Sequence, residues 1–143
     1  MIDLIDIYSA MDARPAMDYS VETFLWELLL SRPDVANISH RTMPTWEQHI
    51  GFIHARPYHG WYLIVNNRSW VGSIYLTSAN EIGLHMMPGY RGKGFGRQAV
   101  DQLIGIFGPG RYLANIAPAN YRSQEFFEKR GFRQIQATYE LVV

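Results

Sequence analysis

The segment His85–Arg97 carries the clearest chemical signal in the chain, because glycine occupies three alternate positions among cationic side chains. Glycine allows positive φ values, which turn successive backbone N–H groups toward one point. A helix-like segment follows, and the first turn of a helix adds unpaired N–H donors and a partial positive charge. Arg91, Lys93 and Arg97 add full positive charges. These residues predict a binding site for a ligand that contains a pyrophosphate group.

The spacing of the glycines excludes the two most familiar phosphate-binding loops. A dinucleotide-binding loop needs G-x-G-x-x-G, but the third glycine here, Gly96, comes one residue early and Arg97 stands in its place. A nucleoside-triphosphatase loop needs Gly-Lys followed by Ser or Thr, whereas Lys93 is followed by Gly94. A different motif must therefore recognise the pyrophosphate.

The sequence Arg91-x-x-Gly94-x-Gly96 resembles the (Q/R)-x-x-G-x-(G/A) signature of the GNAT superfamily of acetyl-CoA-dependent N-acetyltransferases. Upstream, residues 81–88 look like the fourth strand of that family. Downstream, Asn120-x-x-Ser123 and the run 126–132 are similar to its second motif, N-x-x-(A/S) followed by F-Y-x-K-x-G-F. The resemblance covers about residues 60–143. It implies that acetyl-CoA is the co-substrate and that the acetyl group moves to a primary amine.

The resemblance also implies which residues hold acetyl-CoA. In the family, two parallel strands splay apart, and the gap admits the pantetheine arm beside the fourth strand. That role would fall on the backbone of Leu84, His85 and Met86, with side chains from Asn120 and Ser123. The phosphates would be bound by Arg91, Gly92, Lys93, Gly94, Phe95, Gly96 and Arg97. For Asn120, an ordinary helix N-cap after Pro118 is the alternative.

Two candidates for proton transfer lie on the same predicted strand. Glu81 stands where many family members place a carboxylate that accepts the proton of the amine. His85 is four residues further along the same face, and an imidazole titrates near neutral pH. The alternatives are a solvated residue at the edge of a strand for Glu81 and a structural histidine for His85. Backbone N–H groups near Met86 are candidates to polarise the thioester carbonyl.

The chain departs from the family pattern at residue 127. A tyrosine that commonly protonates the departing thiolate should stand there, but the residue is Phe127, which carries no proton to give. Tyr121 falls on a different helical turn, and Tyr112 or Tyr139 would have to fold back. Because a thiol has a pKa near 8.5, water is an alternative proton source. An acyl-CoA-binding protein without chemistry and an interaction module with the same fold therefore remain as alternatives.

Composition favours a small intracellular enzyme. The 143 residues predict one domain, residues 1–143, and 48% hydrophobic content is too high for a disordered chain. No apolar run approaches the ~20 residues of a membrane helix, and acidic residues near Met1 disfavour a secretory signal. The absence of cysteine excludes disulfides and thiolate ligands. We therefore expect a cytoplasmic protein without a membrane partner. We also expect no metal, because His49, His54 and His59 do not share a helix face.

The net charge of zero hides an asymmetry between the two halves of the chain. Residues 1–79 carry 8 acidic and 5 basic residues, whereas residues 80–143 carry 5 acidic and 8 basic residues. The balance shifts from −3 to +3, and the glycine motif lies in the positive half. Such a distribution attracts an anionic ligand such as coenzyme A and gives no general affinity for nucleic acid. A homodimer is compatible with the sequence.

The predicted elements form an α/β fold of the α+β type in a single domain. A mixed, mostly antiparallel sheet of six or seven strands is expected, flanked by about four helices. The strands are predicted at 2–8, where a short helix is the alternative, and at 60–65, 69–77, 81–87, 111–117 and 132–143, the last as a strand or hairpin. The strands 60–65 and 69–77 are expected to form a hairpin with its tight turn at Asn66-Asn67. The helices are predicted from Val21 to near Pro33, at 44–56 with Thr45-x-x-Gln48 as a capping box, at 95–107, and after Pro118 with Gly131 as the C′ residue beyond the helix. A helical crossover makes 81–87 and 111–117 parallel neighbours.

The aromatic-rich stretch 46–62 is expected to pack in the core and, by the resemblance, to contribute rings to the acceptor pocket. The pattern that begins at Ile38-Ser39 and continues to Ile74 is reminiscent of members that acetylate nucleotide-linked amino sugars or protein N-termini. These two acceptor classes are therefore ranked first.

Overall fold

The computed structural model describes residues 1–13, 19–33 and 42–143. The predicted acceptor signature at Ile38-Ser39 lies outside these residues. The described elements are β1 (Asp3–Asp6), α1 (Ile7–Ala13), α2 (Val21–Ser31), α3 (Trp46–His54), β2 (Gly60–Asn66), β3 (Ser69–Leu76), β4 (Ile82–Met86), α4 (Phe95–Phe107) and α5 (Tyr121–Lys129). A short 3-10 helix, Pro88–Tyr90, follows β4. No helix in the described ranges is long and apolar enough to cross a membrane.

The four strands form an antiparallel sheet in the order β1-β2-β3-β4. The predicted hairpin is present, although its turn lies one residue later than expected, at Asn67 and Arg68, which have φ values of 48° and 68°. On the other side of β3, Tyr75 lies opposite Gly83 and Ser73 lies opposite His85. This register determines which side chains of β3 lie beside which side chains of β4.

Helices cover both faces of the sheet and create two hydrophobic clusters. On one face, α4 and α5 bury Ala99, Leu103 and Phe127 against strand residues that include Ile64 and Ile74. On the other face, α1, α2 and α3 pack against the sheet through residues such as Ile7, Leu25, Ile53, Trp61 and Leu63. Strand β4 therefore has helices on both sides of its plane and has a neighbouring strand, β3, along one edge.

Local sequence signals place several helix boundaries correctly. The predicted capping box begins α3, where the Thr45 hydroxyl accepts from the Gln48 N–H and the Gln48 side chain accepts from the Thr45 N–H. Ser20 caps α2 by accepting from the Thr23 N–H at 3.1 Å. Gly131, the predicted residue beyond the last helix, has a φ of 103°.

The first strand is shorter than predicted. It ends at Asp6, and a helix, α1, begins at Ile7, where the sequence left a short helix as the alternative to a strand. The Asp6 carboxylate accepts hydrogen bonds from the N–H groups of Tyr8 and Ser9, at 2.9 and 3.0 Å. These bonds satisfy the donors of the first helical turn and so favour a helix after Asp6.

The prediction of six or seven strands is not confirmed, since the described residues contain four. Residues 111–117 meet the sheet only through one parallel bridge, between Glu81 and Leu113, because the segment then diverges from β4. Residues 133–143 are exposed and are not part of any strand. Their alternating, β-branched sequence favours a strand, but within residues 1–13, 19–33 and 42–143 they do not pair with any strand of the sheet.

Candidate active site

A gap opens between β4 and the segment 111–117. The two are joined at one end, where the Ile82 N–H donates to the Leu113 carbonyl at 2.8 Å and the Leu113 N–H donates to the Asn80 carbonyl at 2.9 Å. Beyond this junction the described residues form no further bridge between the two segments. The direction of the single bridge is parallel, as the helical crossover predicted. The closed end of the gap thus lies at Glu81, and the open end faces the glycine loop.

The outer edge of β4 presents unpaired backbone groups to this gap. Hydrogen-bonding directions alternate along a strand. Ile82 donates outward to Leu113, and Met87 donates inward to the Val71 carbonyl at 2.9 Å. The backbone N–H and C=O groups of Leu84 and Met86 therefore point outward, into the gap. The described part of the chain offers these N–H groups no hydrogen-bond partner. Of the predicted strand residues, His85 has its backbone directed inward, toward Ser73.

The glycine loop lies at the open end of the gap and leads into α4. Gly92 and Gly94 have φ values of 76° and 83°, a region that favours glycine. Gly94 is the N-cap of α4 and contributes no side-chain hydrogen bond, so the N–H groups of the first turn are left free. Gly96 has a different role: a Cβ there would lie 3.1 Å from Leu84 Cδ2, so it allows α4 to lie close to β4. Phe95 is half-buried against Tyr90.

Four cationic side chains surround or border the loop. Arg91, Lys93 and Arg97 come from the loop and the first turn of α4, as predicted. The fourth, Arg122, comes from α5, and its Nη2 lies 3.7 Å from the position that a Cβ on Gly92 would occupy. Sequence analysis missed Arg122, and only its position directly before Ser123 in the second motif could have indicated it.

Glu81 is held in place at the closed end of the gap. Its carboxylate accepts a hydrogen bond from the Thr77 hydroxyl at 3.1 Å and another from the Asn115 amide. Thr77 also accepts from the Glu81 N–H at 3.0 Å. The carboxylate therefore spans the junction between β4 and the 111–117 segment. Sequence analysis identified Glu81 but neither Thr77 nor Asn115, which approach it from separate elements.

His85 lies beside the Tyr75 ring, on the face of the sheet where α1, α2 and α3 form a hydrophobic cluster. Burial is the main cause, and together with the positive charges of Arg32 and Arg91 it lowers the pKa of the imidazole to about 4. At neutral pH the ring is therefore uncharged and a weak proton acceptor. Arg32 follows α2 and was not predicted as a neighbour of this site.

Tyr75 also lies over this face of β4. A Cβ on Gly83 would overlap the hydroxyl end of the Tyr75 ring, so the glycine allows the phenol to lie directly on the strand. Tyr58 stacks on the same ring with a centroid distance of 3.8 Å, and the His85 ring lies 6.2 Å away. Glu81, Tyr75 and His85 therefore follow one another along this face. Tyr75 was missed because the register of β3 against β4 is not visible in the sequence.

The residues of the second motif begin α5. The Asn120 side chain accepts from the Ser123 N–H at 3.3 Å, which is the helix N-cap that the sequence offered as the alternative. Phe127 is 7% exposed and packs between Phe126 and Phe132. Of the tyrosines considered as substitutes, Tyr112 donates to the Gly108 carbonyl, whereas Tyr121 and Tyr139 are 75% and 93% exposed.

Two further histidines, His49 and His54, have structural contacts. A ring nitrogen of His49 lies 2.8 Å from the Glu22 carbonyl oxygen, and His54 lies 3.5 Å from the Glu22 carboxylate. Within residues 1–13, 19–33 and 42–143 there is no group of three or more side chains that could hold a metal ion.

A model of the acetyltransferase (GNAT) family matches residues 4–132, so the chain belongs to this family. Solved structures share the fold. A domain from Methanocaldococcus jannaschii superposes with a TM-score of 0.75 and 22% identity, over 98% of this chain and 93% of that one. An acetyltransferase from Thermus thermophilus gives a TM-score of 0.69 and 20% identity, over 95% and 89%. An aminoglycoside 6′-N-acetyltransferase from Acinetobacter haemolyticus superposes with a TM-score of 0.63 and 14% identity, over 100% of this chain and 97% of that one. No curated protein sequence matches the chain.

Proposed function

We propose that residues 1–143 act as one N-acetyltransferase domain that transfers the acetyl group of acetyl-CoA to a primary amine. The observation that carries this proposal is the open outer edge of β4, which runs from a fixed carboxylate, Glu81, to a glycine loop rich in N–H donors and positive charge. Few other ligands combine a peptide-like arm with a pyrophosphate. Because acetyl-CoA is an intracellular metabolite, the proposal places the protein in the cytoplasm.

The two parts of the site match the two parts of coenzyme A. The amide groups of a pantetheine arm can pair with the outward N–H and C=O groups of Leu84 and Met86, as an added strand would. The pyrophosphate would lie against the N–H groups at the start of α4 and near Arg91, Lys93 and Arg122. Asn120 and Ser123 lie at the start of α5, beside Arg122, where their side chains would border the same ligand.

The residues around the gap can support the chemistry of acetyl transfer. The amine nitrogen attacks the thioester carbon, the carbon–sulfur bond breaks, and the electron pair leaves on sulfur. Glu81, directly or through water, accepts the proton that the amine loses. An outward N–H group, that of Leu84 or Met86, can stabilise the negative charge that develops on the carbonyl oxygen. His85 is the weaker candidate for the base, because its lowered pKa leaves it little tendency to accept a proton.

We infer that the acceptor is a small amine, such as an amino sugar, or a protein N-terminus. The similar structure from Acinetobacter haemolyticus is an aminoglycoside acetyltransferase, which supports an amino sugar. A cavity of about 450 Å³ opens beside the end of β4 and is lined by residues that include Phe24, Trp70, Met87 and Tyr90. It lies on the face that also carries His85 and is the candidate entrance for the acceptor.

A protein that binds acyl-CoA with weak or absent catalysis is the second candidate. The buried Phe127 favours this candidate, because a phenyl ring has no proton to give to the departing thiolate. The phenol nearest to β4 belongs to Tyr75 instead, on the opposite face of the sheet from Phe127.

The experiment that separates the two candidates is a thiol-release assay with acetyl-CoA and a panel of amino sugars, polyamines and short peptides. Acetylated product must be identified by mass, together with free coenzyme A in equal amount. The proposal predicts acceptor-dependent thiol release for at least one class. Tight acetyl-CoA binding with no release in the whole panel would favour the binding protein, and no binding would contradict both.

A further inference from the structure

The cavity of about 450 Å³ beside the end of β4 combines an aromatic wall with a positive charge. The rings of Tyr19, Phe24 and Trp70 pack together along it, with centroid distances of 5.6 to 6.4 Å. Arg68 lines the cavity from the turn between β2 and β3, and among the described lining residues it carries the only charge at neutral pH. The cavity therefore offers an apolar surface to the body of a ligand and a cation to a charged group on it.

The guanidinium of Arg68 is available to a ligand. The side chain is exposed, and within residues 1–13, 19–33 and 42–143 the ion pairs formed by lysine or arginine are those of Lys129 and Arg130. The Glu27 carboxylate accepts a hydrogen bond from the Tyr19 hydroxyl and is not part of the cavity lining. A guanidinium without a carboxylate partner can form two parallel hydrogen bonds to a carboxylate or a phosphate.

A second arginine outside the glycine loop adds positive charge to the same face. Burial is the main cause of the low pKa of His85, and the charges of Arg32 and Arg91 contribute to it, so both guanidinium groups lie near the imidazole. His85 and Met87 share a face of the strand, and Met87 lines the cavity. Arg91 belongs to the loop assigned to the pyrophosphate, whereas Arg32 and Arg68 have no role in binding coenzyme A.

We propose that the acceptor amine carries an anionic group, a carboxylate or a phosphate, and that this group binds to Arg68 in the cavity while the amine lies beside β4. This inference rests on the proposed acetyl transfer and narrows its acceptor. The aromatic wall would pack against the carbon skeleton of the acceptor, and the charge of Arg32 favours the same anion. A polyamine or an aminoglycoside would bring further positive charge toward both arginines and would be disfavoured.

The strand also sets a length for this acceptor. A strand advances about 3.3 Å per residue, so Leu84, beside the expected position of the thioester, and Met87, at the cavity, are separated by about 10 Å. The amine and the anion must therefore be several bonds apart, which disfavours α-amino acids.

Calorimetry on the protein saturated with coenzyme A tests binding separately from chemistry, because this coenzyme fills the loop and has no acetyl group to give. Two pairs of amines differ by the anionic group: 6-aminohexanoate and 6-aminohexanamide for a carboxylate, and glucosamine 6-phosphate and glucosamine for a phosphate. The anionic member of at least one pair should bind about 10-fold more tightly than its partner, and that pair identifies the anion. Equal affinity within both pairs would overturn the proposal.

Substitution of Arg68 shows whether the preference comes from this cavity. Arg68→Gln should weaken binding of the anionic ligand by about 10-fold and leave its neutral partner unchanged, whereas Arg68→Lys should keep part of the preference. Arg56→Gln is the matched control, because Arg56 is also exposed, has a positive φ of 51° and lies over the Tyr8 ring, outside the cavity lining. An unchanged preference in Arg68→Gln, or an equal loss in Arg56→Gln, would contradict the assignment.

Turnover with acetyl-CoA separates this inference from the proposed function. The anionic ligand should have the higher kcat/KM, and Arg68→Gln should lower that value mainly by raising KM. Faster acetylation of the neutral partners, of spermidine or of an aminoglycoside would overturn the anionic acceptor and leave acetyl transfer in place. Selective binding of the anionic ligand without acetylation of any amine would support the anion site and overturn the proposed function.

Discussion

Strand β4 has an open outer edge and a covered face. The edge presents backbone groups to a ligand, whereas the face carries buried polar side chains. Along the outer edge, Leu84 and Met86 leave backbone groups unpaired, and the glycine loop continues this row of donors into the start of α4. On the covered face, which looks toward the α1, α2 and α3 side of the sheet, His85 lies beside the Tyr75 ring, and its pKa is lowered to about 4, mainly by burial. The edge can bind a ligand through the backbone alone. On the covered face, side chains would select the acceptor and would take part in the transfer of its proton.

This difference implies different responses to substitution. A change on the outer edge alters ligand affinity with little effect on stability beyond the local strain it causes. A change on the covered face acts through side chains, and at His85 it also alters the pH dependence of stability.

The largest effect is expected at the glycine loop. Gly94→Val places a β-branched residue at a φ of 83° and a side chain where the pyrophosphate would lie, so acetyl-CoA affinity should fall by about 10³-fold, beyond detection by calorimetry. Gly108→Val is the matched control, because Gly108 has a φ of 87° at the other end of α4. The control should lose at least as much stability and keep its affinity. Equal loss of affinity in both variants would mean that strain, and not the site, causes it.

The covered face should give the protein a marked pH dependence through His85. Its pKa is lowered in the folded state, so the unfolded chain binds more protons as the pH falls. Stability is therefore full above pH 6.5 and is lost as the pH falls toward 4, by roughly 3 kcal/mol. Urea unfolding between pH 4 and 7 measures this loss, which His85→Asn should remove. His54→Asn, which changes an exposed histidine, should leave the slope unchanged.

Glu81 lies at the start of β4, where the outer edge and the covered face meet. Its substitution is expected to change the rate of acetyl transfer and not the affinity for acetyl-CoA. Glu81→Gln should lower kcat by about 10²-fold at nearly constant acetyl-CoA affinity, because the carboxylate acts only in the proton transfer. Asn115 holds one carboxylate oxygen, so Asn115→Ala should cause a smaller fall. A Glu81→Gln protein with the parental rate across the pH range would remove Glu81 from the mechanism.

The smallest effect is expected at Phe127, which lies in the cluster on the α4 and α5 side. Phe127→Tyr buries a hydroxyl group without a partner and should cost about 1–3 kcal/mol of stability without raising turnover. Tyr75→Phe removes a hydroxyl from the covered face of β4 and should lower turnover at little cost in stability. A faster Phe127→Tyr enzyme would show that residue 127 reaches the reacting sulfur.

The outer edge was largely predictable from sequence because its parts are contiguous. The glycines, the cations and the helix that follows them lie within residues 91–107, and the parallel crossover follows from the order of elements. The covered face was not predictable, because Tyr58, Tyr75 and His85 meet only through strand register and helix packing. The C-terminal strand was expected from β-propensity alone, but a strand also needs a neighbour, and the described part of the chain pairs none with residues 133–143.

The central claim is that acetyl-CoA binds along the outer edge of β4. Amide hydrogen exchange tests it most directly, because the N–H groups of adjacent residues point to opposite edges of the strand. If acetyl-CoA binds along the outer edge, saturating ligand should slow exchange at Leu84 and Met86 by at least about 10-fold, since their N–H groups gain a partner. Gly83 and His85 already face β3 and should change much less. An alternating pattern of protection is the result that the account predicts. Unchanged exchange at Leu84 and Met86 under saturation, or equal slowing at all four residues, would contradict the assignment of this edge as the cofactor site.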